Sequence, residues 1–170
     1  LILADGCITN YTGVQQRLLF GLQICDRYMV DNLANIFGRN VYVHPSRGKI
    51  QSSVSLQITS NHVVNTLRGY GFTERKSTDN HKADVFNHIP TNLMPHFIRG
   101  IVDGDGWISL NKRIKRKSGY RVAIGVCGNY NDMLAIHTIF TGIGCIATSI
   151  TRSRNIYTIG WYSEVDITKI

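Results

Sequence analysis

Hydrophobic and polar residues along this chain switch repeatedly between two periods. Leu18, Phe20, Leu22 and Ile24 alternate with Arg17, Leu19, Gly21 and Gln23, and Tyr120, Val122, Ile124 and Val126 alternate with Arg121 and small residues. A period of two is that of a strand with one buried face; Val54, Leu56 and Ile58 show it again. Between these runs the spacing becomes helical. Tyr28, Met29, Leu33, Ile36 and Phe37 run up to Gly38; Met133, Leu134, Ile136, His137 and Phe140 run up to Gly142; His62, Val63 and Leu67 stop near Gly69. These predict amphipathic helices closed by glycines. Pro95 suits the first turn of a further helix through Phe97, Ile98, Ile101 and Val102, with Gly106 as its C′ glycine.

The periods recur because the chain repeats itself. LADGCITN, from Leu3, resembles DGDGWISL, from Asp103. RLLFGLQI, from Arg17, matches RVAIGVCG, from Arg121, and DRYMVDNLANIFG, from Asp26, matches NYNDMLAIHTIFTG, from Asn129. VSLQITSNHVVNTL, from Val54, matches YTIGWYSEVDITKI, from Tyr157. Each copy reads helix, two strands, helix, two strands, helix. The expected fold is α+β: two pseudo-symmetric αββαββα repeats, each an antiparallel sheet with helices over one face and the other face open. The stretch from Thr73 to Pro95, with ERKSTDNHK and two prolines, is the expected connection. This places a first half at 1–78, a linker at 79–95 and a second half at 96–170. Because Leu1 and Ile170 lie inside apolar runs, a fragment with shortened first and last helices is expected.

Composition then narrows the partner. Of 170 residues 43% are hydrophobic, enough for a core. Nineteen Lys and Arg against eleven Asp and Glu give a net charge of +8, which favours a polyanionic partner. Cys7, Cys25, Cys127 and Cys145 form no CxxC pair and are expected as buried, reduced thiols. No apolar run approaches the ~18 residues of a membrane span and no signal peptide is visible, so an intracellular setting is expected, in cytoplasm, nucleoid or organelle matrix.

The candidate chemistry lies in two aspartates. Asp5 and Asp105 stand at matching points of the repeat, each in the last turn of a predicted helix, where the macrodipole disfavours a carboxylate. If the halves pair through these helices, the two carboxylates approach each other and repel unless a cation lies between them. Hard oxygen donors suit Mg²⁺, which keeps several waters. Gly100, Gly104 and Ala4 provide small residues for close helix pairing. Asp103 has Leu3 as its counterpart, so symmetry selects Asp105.

LILADGCI and FIRGIVDGDGWISL resemble the two signature motifs of the LAGLIDADG homing endonucleases, and NTLRGYGF…IPTNLMPHFIRG resembles the approach to the second. The resemblance implies that the signature helices pair between the halves of a monomeric pseudo-dimer. It further implies that Asp5 and Asp105, with the carbonyls of Ala4 and Gly104, hold Mg²⁺ or Mn²⁺. Basic or polar residues near the metals assist catalysis in the family; Lys49, Arg152 and Gln23 are the candidates, Lys49 and Arg152 being equivalent at a shift of 103. The implied reaction is hydrolysis of one phosphodiester on each strand of a double-stranded target, leaving short 3′ overhangs. Intron-encoded and intein-embedded origins both fit.

Two such sheets make a DNA-binding saddle, since a β-ribbon fits the major groove. By alternation the outward set contains Thr9, Tyr11, Arg17, Gln23, Ser53, Ser55 and Gln57 in the first half and Ser109, Asn111 and Arg121 in the second. The hairpin tip KRIKRKSGYR supplies Lys112, Arg113, Lys115, Arg116 and Lys117 for phosphates or base edges, and Arg47, Lys49, Arg152 and Arg154 form a second basic group. One alternative is a cleavage-inactive relative acting as an intron RNA maturase or DNA-binding regulator. A second is a basic RNA-associated module in which DGDG is only a turn, which leaves the repeat unexplained.

Overall fold

The structure is a computed structural model that describes residues 2–10, 13, 15–48, 51–74, 84–112, 120–146 and 149–169. The chain forms two compact units, residues 1–75 and 76–170.

In the first unit, helix α1 (Ile2–Asp5) leads into strands β1 (Gly6–Asn10) and β2 (Gln16–Gln23), helix α2 (Arg27–Phe37), strands β3 (Val41–His44) and β4 (Ser53–Thr59), and helix α3 (Asn61–Gly69). The sheet is antiparallel in the order β1-β2-β4-β3. Its registers line up Ile8, Leu18 and Ile58 in one row and Phe20 and Leu56 in another. These residues, with Val54, are buried and form the core under α2 and α3. Alternation in β2 and β4 was therefore a faithful guide. It fails at Ile24, where the strand has ended and a 3₁₀ turn leaves the side chain exposed.

Helix α2 buries Val30 and Ala34, whereas Tyr28 and Ile36 are exposed. The buried stripe is thus rotated from the one expected, toward Val30 and Ala34. Gly38 closes α2 in the left-handed conformation at φ 58°, as a C′ glycine should. Ser60 caps α3 by accepting from the backbone N–H of Val63 at 3.3 Å.

The second unit repeats this order. Helix α4 (Val85–His88) and a 3₁₀ turn precede helix α5 (Met94–Asp105), strands β5 (Gly106–Lys112) and β6 (Tyr120–Gly128), helix α6 (Tyr130–Gly142), strands β7 (Thr151–Ser153) and β8 (Ile156–Trp161), and helix α7 (Glu164–Ile167). The sheet order is β5-β6-β8-β7, the same as in the first unit. Both units are therefore αββαββα layers of the α+β class. Within the stretch expected as a linker, Val85 and Phe86 are buried, and the Phe86 ring meets Phe97 of α5 edge-on at 5.3 Å. Pro95 falls in the first turn of α5, as expected.

Val126, Ile159 and Trp161 form the second core, and Trp161 meets Phe140 of α6 edge-on at 4.3 Å. Only part of the face expected from alternation is buried. Val126 is, but Tyr120 and Val122 are exposed, and Ile108 is 73% exposed where its counterpart Ile8 is 3%. The one-turn α7 stands where the first unit has the nine-residue α3. Helix α6 ends through Gly144 at φ 82°, not through Gly142. Asn129 caps α6, its Oδ1 accepting from the Asp132 N–H at 3.0 Å and its Nδ2 donating to the Asp132 carboxylate at 2.6 Å.

Candidate nucleic-acid interface and active site

Each unit places an aspartate at an uninterrupted helix-to-strand junction. Asp5 is the last residue of α1 and Gly6 the first of β1; Asp105 is the last of α5 and Gly106 the first of β5. Glycine is required there for space. Gly106 has φ −94° and ψ 174°, an ordinary extended conformation, so the expected left-handed C′ role does not hold. A Cβ on Gly106 would lie 2.3 Å from the carbonyl oxygen of Val102, and one on Gly6 would lie 2.6 Å from that of Ile2. The same steric constraint at both junctions holds the two acids in matching positions.

Asp5 is exposed and Asp105 half-buried; Ala4 is half-buried and Gly104 exposed. The Cys127 thiol donates to the backbone carbonyl of Asp105 at 3.3 Å. Burial pushes the Cys127 thiol pKa up, and the Asp105 carboxylate pushes it further the same way. Cys145 is buried, but Cys7 and Cys25 are exposed, against the expectation of four buried thiols. Cys7 sits on the strand face opposite the core, which alternation through Ile8 could have shown. Among the described residues no three His, Cys, Asp or Glu side chains gather to hold a metal ion. Oxygen donors at each junction are therefore one carboxylate and adjacent carbonyls, a set that suits a hard ion retaining waters.

The sheet face opposite the first core is polar. Thr9, Arg17 and Thr59 form one row across β1, β2 and β4; Cys7, Leu19 and Gln57 form the next; Gly21, Ser55 and Tyr42 follow; and Gln23, Ser53 and His44 end the face. Arg17 donates from Nε to Thr9 Oγ1 at 3.0 Å and from Nη1 to Gln57 Oε1 at 3.3 Å. His44 Nε2 and Ser55 Oγ are 2.8 Å apart. The structure thus gathers Thr9, Arg17, Gln23, Ser53, Ser55 and Gln57 on one face. It adds His44 and Tyr42, which only the β3 register could reveal.

In the second unit Ser109 and Arg121 share the face opposite the core, and the Asn111 side chain lies outside the described residues. Arg152 does not join them. It pairs with Tyr157, in the row of Gly128, on the side of the sheet that carries α6; its guanidinium lies 5.7 Å from the Tyr157 ring and donates to the Arg154 carbonyl at 2.9 Å. The expected equivalence of Arg152 with Lys49 is not one of register, since Arg152 corresponds to Val43. Arg47 and Arg154 are exposed, Arg154 in a turn at φ 55°. Lys112 ends β5. Tyr11, Lys49, Arg113, Lys115, Arg116 and Lys117 lie outside the described residues. No helix among the described residues is long and apolar enough to cross a membrane.

Neither a protein-family model nor a curated protein matches the amino-acid sequence. Solved structures do match the fold. The LAGLIDADG meganuclease I-AabMI bound to uncleaved DNA aligns over 99% of this chain and 78% of its own at 16% identity, TM-score 0.62. The LAGLIDADG homing endonuclease I-LtrWI bound to target DNA aligns over 99% and 78% at 11% identity, TM-score 0.63. I-SmaMI, of the same type and bound to cleaved DNA, aligns over 98% and 77% at 16% identity, TM-score 0.63. The fold of this chain is that of the LAGLIDADG homing endonucleases.

Proposed function

We propose that this chain is a site-specific double-strand DNA endonuclease, a single-chain pseudo-dimer in which each unit carries one metal-binding acid. The observation that carries the reading is the repeated junction. In both units a helix ends on Asp and passes without a loop into the first strand of an antiparallel sheet.

Asp5 and Asp105, with the Ala4 and Gly104 carbonyls, are the groups that would hold Mg²⁺ or Mn²⁺. A divalent cation held there would offset the unfavourable interaction of each carboxylate with its helix C-terminus. The bound ion would supply water activation and leaving-oxygen stabilisation. Gln23 and Lys49 are the candidates for orienting the attacking water. Thr9, Arg17, His44, Ser53, Ser55 and Gln57 present donors and acceptors to base edges in the major groove. Arg47, Arg154 and the basic tip from Lys112 to Arg121 neutralise phosphates. Because the two faces carry different residues, the target is long and asymmetric.

The test is cleavage of a randomised duplex library in Mg²⁺, with sequencing of the cut ends. One asymmetric site with short 3′ overhangs is expected. Binding of a duplex with no cleavage in Mg²⁺ or Mn²⁺ would reassign the chain to noncleaving DNA-binding regulators. Preference for structured intron RNA would reassign it to maturases.

A further inference from the structure

The sheet faces opposite the two cores differ most in one row. In the first unit the row next to the junction is Cys7, Leu19 and Gln57, three side chains of middling size. At the matching place the second unit has Trp107, Gly125 and Gly160. The indole covers both glycines. A Cβ on Gly125 would lie 2.4 Å from Trp107 Cζ2, and one on Gly160 would lie 3.4 Å from the same atom. Tyr162 flanks the indole at 6.5 Å between ring centroids. Arg121 closes the group, its guanidinium 4.7 Å over the Tyr162 ring and its Nε donating to the Tyr162 carbonyl at 3.2 Å.

A row of one large and two minimal residues makes a flat apolar plate where the first unit has separate polar and apolar tips. Trp161, the next residue after Gly160, is turned to the core and buried, whereas Trp107 is half-buried and Tyr162 is 40% exposed. Arg121 is exposed beside them and brings a positive charge to the plate's edge. The face of the indole over the two glycines has no hydrogen-bonding group to offer a base edge. What it can recognise in a major groove is the apolar feature there, the C5-methyl group of thymine.

Resting on the endonuclease reading above, we propose that Trp107, seated on Gly125 and Gly160 and flanked by Tyr162 and Arg121, is a specificity-determining residue that reads thymine methyl groups in the half-site under the second unit. The first unit reads its half-site by hydrogen bonds. The two half-sites then differ in kind: removal of methyl groups is felt in one and nearly silent in the other.

The experiment uses the duplex obtained by library selection and replaces its thymines one at a time by deoxyuridine, which removes only the methyl. Wild-type affinity is expected to fall about fourfold at one or two positions of one half-site, the ratio for losing one buried methyl-sized group. Trp107→Ala should bind the unmodified duplex as the wild type binds the uridine duplex, and should no longer distinguish the two. Placing 5-iododeoxyuridine at the sensitive positions and irradiating wild-type protein should crosslink the peptide holding Trp107, a readout that does not depend on the variant folding. Uridine sensitivity retained in Trp107→Ala, crosslinks to another peptide, or no uridine effect in either half-site would overturn the inference while leaving the endonuclease reading intact. Failure to select any duplex would overturn the endonuclease reading itself, and this inference with it.

Discussion

Replacing Gly106 with alanine tests why the signature acids stand where they do. Its dihedral angles are open to alanine, so the backbone itself imposes no penalty. Alanine would even restrict the unfolded chain and contribute about 0.4–1 kcal/mol to stability. Against this, the new Cβ would meet three backbone atoms of Val102, the oxygen at 2.3 Å, Cα at 2.8 Å and the carbonyl carbon at 2.9 Å. Backbone atoms cannot rotate aside, which puts the cost at the upper end of the ~1–3 kcal/mol typical of overpacking. The net expectation is destabilisation of about 2 kcal/mol, or a fall in Tm of roughly 10 °C for a unit of this size. Thermal and urea unfolding followed by circular dichroism measure it. Gly142→Ala is the control in the same unit, since its Cβ would meet nothing within 4 Å; it should be neutral or stabilising by up to about 1 kcal/mol. Equal stability of Gly106→Ala and wild type would refute the steric account of the junction.

Three further outcomes are expected. Asn129→Ala removes the α6 cap and its bond to the buried Asp132 carboxylate, and should destabilise by about 1–2 kcal/mol in urea titrations, whereas Asn129→Asp should be worse still because two carboxylates would then face each other. Gly125→Ala, measured in a Trp161→Phe background, should lift the indole from its seat and shift the fluorescence of Trp107 to the red; an unchanged spectrum contradicts the seating. Iodoacetamide near pH 8.5 should alkylate the exposed Cys7 and Cys25 well before Cys127, whose partial burial limits access and whose raised pKa leaves less thiolate. Cys127 should catch up as pH rises further. Asp105→Asn should speed its reaction only in part, because burial is the larger cause of the shift.

How far the fold was legible depended on period and register separately. The period of two in β2 and β4 put Thr9, Arg17, Gln23, Ser53, Ser55 and Gln57 on one face, and the structure keeps them there. The match of Arg17 to Arg121 was less successful. Gly6 pairs with Phe20 while Gly106 pairs with Val126, so Arg17 corresponds to Ala123. The second hairpin is longer by residues that no periodicity records. Since the slip is of two positions, it leaves every residue on its expected face. Lys49 and Arg152 fare differently. The connection after β3 is long and the turn after β7 is tight, so equal spacing from β4 and β8 does not mean equal place. Rotation of the α2 stripe toward Ala34, exposure of Ile108 and the seating of Trp107 all arise from tertiary neighbours. Only the pair Gly125 and Gly160, each opposite the other across β6 and β8, left a trace of the last in the amino-acid order.

The central claim is that one aspartate from each repeat makes a metal-dependent cutter of duplex DNA. It is met most directly by incubating wild type, Asp5→Asn, Asp105→Asn and the double variant with a plasmid carrying the selected target, in Mg²⁺, Mn²⁺ or EDTA, alongside a gel-shift measurement of binding. The account predicts linearisation by wild type with either metal, none in EDTA, and loss of double-strand cutting in each variant with binding retained. Linear plasmid produced by the double variant, or by wild type in EDTA, would contradict it.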